Sequence, residues 1–123
     1  MVRGYAQGMG LVIVLLGLGG LVRGERPLLG VLNIDVVEDL IHLATGGLMA
    51  YVGVASRKLA PVGGAVGGVG LLYLALGGLG FLVPTLFGLL PHGYSVVDNP
   101  IHLVLGALGL LVARADRRPT ITV

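Results

Sequence analysis

Asp35-Val36-Val37-Glu38-Asp39-Leu40-Ile41-His42-Leu43, followed by Gly46, recurs as Ser95-Val96-Val97-Asp98-Asn99-Pro100-Ile101-His102-Leu103, followed by Gly106. The two copies hold four of the six acidic residues of the chain and two of its three histidines. Around them the sequence is almost entirely apolar or glycine. Each copy therefore reads as the polar start of an otherwise apolar helix.

Composition places the chain in a class. Its 123 residues are 55% hydrophobic and 11% charged, with 23 glycines and no tryptophan. A soluble domain carries about a quarter charged residues, so a membrane chain is expected. The glycines suit closely approaching helices. The absence of cysteine removes disulfides, thiolate metal sites and cysteine nucleophiles together. The net charge of +2 gives no basic patch, because the basic residues sit at the ends of apolar segments, and nucleic-acid binding is not expected.

Four apolar segments follow in order. The first runs from about Tyr5 to Val22, close to the ~20 residues that a helix needs to cross a bilayer. It ends in the polar turn Arg23-Gly24-Glu25-Arg26-Pro27, and residues 28–35 form a connection apolar enough for the membrane interface. The second helix starts between Asp35 and Asp39 and runs to Ala55, before Ser56-Arg57-Lys58. The third extends from about Val62 to Val83, where Pro84 disfavours helix. Residues 85–95 form a second connection, and the fourth helix runs from Val96 or Pro100 to Ala113.

Sliding the chain on itself by 60 positions, from His42 to His102, aligns far more than the two polar stretches. Gly10 meets Gly70, Leu16-Gly17 meets Leu76-Gly77, Gly20 meets Gly80, and Arg57-Lys58 meets Arg117-Arg118. The expected fold is all-α, an integral membrane four-helix bundle in one transmembrane domain, with one hairpin in residues 1–60 and its repeat in 61–120. An even number of crossings per unit relates the copies by a pseudo-two-fold along the membrane normal. The repeat also pairs the first segment with the third, so that segment is expected to stay in the protein although its basic start resembles a signal peptide.

Charge asymmetry orients the bundle. Arg3, Arg57, Lys58, Arg114, Arg117 and Arg118 fall on one side, and most acids fall on the other. Both termini are then cytoplasmic, in a multi-pass protein of the cell inner membrane.

The acids have an ordinary use as caps. If Asp35 and Ser95 are the N-caps, Glu38 and Asp98 fall at the third helical position and both stretches resemble capping boxes; if Asn99 caps, Pro100 takes the first position and Asp39 is the matching cap. The histidines lie on faces of small residues, His42 with Gly46, Met49 and Gly53, and His102 with Gly106, Gly109 and Ala113, so both imidazoles should point into helix contacts. The bland reading is a neutral imidazole that fixes packing. A sharper one uses Glu38, His42, Asp98 and His102 as ligands for a divalent metal ion, since each acid and histidine are four residues apart on one helix. A third has His42 and His102 as axial ligands of a haem. His92, between Pro91 and Gly93, reads as a turn residue, and Tyr5, Tyr51, Tyr73 and Tyr94 as candidate interfacial anchors.

The pattern at the starts of helices two and four, Asp39-Leu40-Ile41-His42-Leu43-Ala44-Thr45-Gly46 and Asp98-Asn99-Pro100-Ile101-His102-Leu103-Val104-Leu105-Gly106, resembles the small four-helix bacterial membrane proteins grouped as a domain of unknown function (DUF 4383). The resemblance covers nearly the whole chain and implies the same topology. The resulting expectation is a non-enzymatic structural or accessory subunit without a required cofactor, embedded in the lipid bilayer and packed against other membrane helices or copies of itself. The alternative is a metal- or haem-binding redox or transport component built on the paired acid-histidine segments.

Overall fold

The structure, a computed structural model, describes residues 1–24, 35–93 and 95–117. The turn and connection expected at 25–34, the anchor expected at Tyr94 and the basic residue Arg118 lie outside the described residues. Four α-helices carry the fold: α1 (Val2–Arg23), α2 (Val36–Ala55), α3 (Leu59–Leu82) and α4 (Asp98–Ala115). A single 3-10 turn at Leu86–Gly88 lies between α3 and α4, and there is no strand among the described residues. The bundle is all-helical, as expected.

Each helix ends where its sequence dictates. α1 stops at Gly24, whose left-handed φ of 66° returns its N–H to the Gly20 carbonyl, a conformation glycine adopts without a Cβ penalty. Asp35 caps α2 through a side-chain bond from Val37 N. α3 begins at Leu59, three residues before its expected start, because Pro61 fits the first turn, where no intrahelical N–H is needed. Pro84 ends it, with Val83 as the C-cap.

Burial on α1 follows one stripe, Val2, Ala6, Gly10, Ile13, Gly17 and Gly20, and on α3 the matching positions Val62, Val66, Gly70, Tyr73, Gly77 and Gly80. Helices α2 and α4 bury the faces read from the sequence, through Gly46, Met49 and Gly53 and through His102, Gly106, Gly109 and Ala113. Packing is dense within the pairs α1/α2 and α3/α4 and sparser between them. The glycines explain the density. A Cβ at Gly46 would stand 2.8 Å from both Gly10 O and Val14 N, and one at Gly106 would stand 2.7 Å from Gly70 O and 2.6 Å from Leu74 N. Both hairpins thus pack backbone against backbone, an approach that only a missing side chain allows.

The polar groups of the helix ends hold one end of the bundle together. Arg3 donates from Nη1 to the carbonyls of Gly53 (3.0 Å) and Ser56 (2.6 Å), and Gln7 donates to Gly53 O at 2.9 Å. These bonds satisfy carbonyls that the end of α2 leaves open. The Asp116 carboxylate, past the end of α4, accepts from Val2 N at 2.9 Å and lies 3.7 Å from the terminal amine.

At the other end, Leu86 and Leu90 are buried and pack with Val37 and Leu76. Leu86 and Phe87 both have positive φ, 44° and 59°, a strain of about 1–3 kcal/mol for each non-glycine residue held so. Burial of Leu86 and Leu90 offsets it. Phe87 points outward and is 82% exposed.

The bundle is apolar on its surface as well as in its core. Its outside carries Leu11 and Leu15 of α1, Leu40 and Val54 of α2, Leu71 and Phe81 of α3, and Val104 and Leu111 of α4, all exposed. Its inside holds an apolar core built from Val2, Ile13, Met49, Val62, Val66 and Tyr73, together with glycine and with Glu38, Asp39, Thr45, Asp98, Asn99 and His102. Four crossings were expected; by length and apolarity, α1 and α3 are the two described helices that suffice to cross a membrane. Helix α2 carries Glu38 and Asp39 in its first turn and α4 carries Asp98, each followed by a histidine in the next turn, which lowers their apolarity.

Candidate functional site

The two acid-histidine stretches meet in the bundle interior. Glu38 and His42 stand one turn apart on α2, on the same face, and His102 faces them from α4. His102 Nε2 lies 3.4 Å from Glu38 Oε1, and one ligand atom from each of Glu38, His42 and His102 falls within 4.8 Å of the others. Glu38 and His102 are buried and His42 is partly so. The second carboxylate oxygen of Glu38 is buried and has no hydrogen-bond partner among the described residues. Such a group is costly to bury unmatched.

Aromatic packing closes the cluster from α3. The Tyr73 ring stacks on His102 at 5.4 Å with an interplanar angle of 14°, and the His42 ring lies 6.1 Å from His102 and 6.2 Å from Tyr73. The Tyr73 hydroxyl is 2.8 Å from Thr45 Oγ1, and Thr45 donates to the Ile41 carbonyl at 2.7 Å. Tyr73 is therefore not an interfacial anchor. It is fully buried and ties α3 to α2, whereas Tyr51 is exposed. The signal was present in the sequence, since Tyr73 continues the spacing of Gly70, Gly77 and Gly80 on the face that packs.

The four residues read as ligands separate into two groups. Asp98 is occupied as a cap: its Oδ2 accepts from Ser95 N at 2.7 Å, while Ser95 Oγ accepts from Asp98 N and Val97 N at 3.2 Å. This is a reciprocal capping box. It closes the turn that leads into α4, whose N-cap position is Val97 and whose regular helix runs from Asp98, so Asn99 lies inside the helix and does not cap it. Glu38 holds the matching position after Asp35, yet its carboxylate lies beside His102 instead of serving as a cap. One side-chain carbon more than Asp98 gives it that reach. The set that converges is Glu38, His42 and His102.

Asp35, Asp39 and the third histidine lie at the end of the bundle opposite Arg3. Asp39 rests against the bare backbone of Gly20, where a Cβ would overlap its carboxylate. His92 lies in a turn, as expected, with Nδ1 3.9 Å from Asp35 Oδ2.

A haem does not fit between the two histidines as they are packed. Tyr73 covers one face of the His102 imidazole, Glu38 stands at its Nε2, and the adjoining cavity among Met9, Met49, Val66 and Tyr73 measures about 10 Å³. That volume suits a single water molecule at most. Two imidazoles and one carboxylate are, by contrast, a common donor set for a divalent transition-metal ion. Compared with known proteins, the chain matches no family model, no curated protein and no solved structure.

Proposed function

We propose that the chain is an integral protein of the bacterial inner membrane. Its four helices cross as two like-oriented hairpins with both termini in the cytoplasm, and it serves as a non-enzymatic structural or accessory subunit. It packs against other membrane helices or against copies of itself. The observation that carries this reading is the apolar surface around buried carboxylates. Leucines stand exposed on all four helices, while Glu38, Asp39, Asp98 and His102 lie within, beside glycine and an apolar core. In water such a surface drives aggregation, whereas in lipid it is the ordinary solvated face. The carboxylates Glu38, Asp39 and Asp98 also face the bundle interior, as ionisable groups do in membrane proteins. The matching of buried positions at an offset of 60, from Gly10 and Gly46 to Gly70 and Gly106, supports the pseudo-two-fold.

The chain has no cysteine, so single cysteines report topology cleanly. His92→Cys should react with a membrane-impermeant maleimide in intact cells, and Lys58→Cys only after permeabilisation. Labelling of both from one side sinks the four-crossing topology. The accessory role predicts a discrete mass in mild detergent above that of the 12.5 kDa monomer, and a lone monomer contradicts it. A second reading, a metal-binding redox or transport component, is favoured by the convergence of Glu38, His42 and His102.

A further inference from the structure

We propose that Glu38, His42 and His102 form a mononuclear site for a borderline divalent transition-metal ion, zinc or ferrous iron in class, that pins the two hairpins together. The inference rests on the second reading above and specifies its site; it holds whether or not the bundle has a protein partner. Three observations carry it. The donors are two imidazole nitrogens and a carboxylate, with no thiolate and no hard all-oxygen cage, which selects zinc or iron over calcium or magnesium. Their atoms already converge within 4.8 Å. Tetrahedral zinc with bonds near ~2.1 Å sets its ligand atoms about 3.4 Å apart, and the Glu38 and His102 pair stands at 3.4 Å. Finally, the buried Glu38 Oε2 has no hydrogen-bond partner among the described residues, so one carboxyl oxygen at the site is left for a ligand that the bundle itself does not supply.

Position gives the ion a purpose. Two ligands come from α2 and one from α4, across the seam where packing between hairpins is sparse. An ion bound there crosslinks the halves that glycine contacts do not. With three protein ligands, one coordination position is left for water or another small ligand. Binding releases whatever protons the imidazoles and the carboxylate hold, because all three coordinate in their deprotonated forms.

The test uses the full chain purified in detergent, stripped with EDTA and titrated with Zn²⁺ or with Co²⁺, whose visible absorption reports nitrogen and oxygen coordination. Expected are one ion per chain and a rise in Tm that EDTA reverses. Glu38→Gln, close in shape and checked for helix content by circular dichroism, should weaken binding more than about 100-fold, beyond the roughly 10–100-fold typical of losing a supporting residue. His102→Ala should abolish it, and His92→Ala should leave it unchanged. Absence of a Co²⁺ band and of a Zn²⁺ shift in folded wild type overturns the site, as does equal binding by Glu38→Gln or equal loss in His92→Ala. The maleimide labelling described above reads topology independently, so failure of the metal site and failure of the membrane topology are distinguishable.

Discussion

The two hairpins bury corresponding positions and meet through corresponding glycines, but they use the same acidic position differently. In the second hairpin Asp98 turns back to Ser95 N and closes a capping box. In the first, Glu38 reaches across to His102, and the cap falls to Asp35 alone. The halves diverge again at Arg3 and Gln7, which bind the end of α2 and whose counterparts in the second hairpin are Gly63 and Gly67. They also diverge at Tyr73, whose counterpart is Ile13. The backbone contacts are repeated, while the polar contacts are divided between the copies. A scaffold whose halves repeat their glycine contacts can thus hold one asymmetric cluster.

The largest effects should fall on what the hairpins share. Gly46→Ala and Gly106→Ala each push a Cβ into partner backbone, and each should cost about 1–3 kcal/mol or more, measured by unfolding in detergent. Unequal tolerance would break the equivalence of the two interfaces. Next come the acids: Asp98→Ala should cost about 0.5–2 kcal/mol through its cap, whereas Glu38→Ala should leave the helix start intact and act on the environment of His102, read from the imidazole NMR signals. A cap-sized loss without any His102 change in Glu38→Ala would contradict the division of roles. Tyr73→Phe keeps the ring stack and removes the bond to Thr45, costing about 0.5–1.5 kcal/mol; Ile13→Val, its counterpart, should perturb neither histidine. The smallest effect is expected for Arg3→Ala, about 0.3–1 kcal/mol from the lost interaction with the end of α2, seen as faster amide exchange at Gly53 to Arg57. If exchange accelerates equally at the end of α4, Arg3 does not act locally.

Much of this arrangement was legible in the chain because helix packing leaves a periodic trace. The spacing of Gly10, Gly17 and Gly20, and of Gly46, Met49 and Gly53, marked the buried faces directly. The histidines could be placed on those faces for the same reason. What periodicity does not encode is which way a side chain turns at the end of a helix. Glu38 and Asp98 occupy equivalent positions, and the choice between capping and crossing depends on side-chain length and on the partner helix opposite. Tyr73 was misplaced because a tyrosine in an apolar span suits both a membrane interface and a buried hydrogen bond. Arg3 was read for its charge alone, and its use as a donor to α2 carbonyls depends on a neighbour fifty residues away in the chain.

The leucines between α3 and α4 have a consequence for the start of α2. Leu86 and Leu90 pack on Val37, the residue beside Glu38 in the chain, and on Leu76, so this connection is fastened to the helix that carries the candidate ligand. The positive φ of Leu86 and Phe87 works against that fastening, and the burial of the leucines works for it. The first turn of α2 is therefore held from outside its own hairpin, by two side chains that carry no charge.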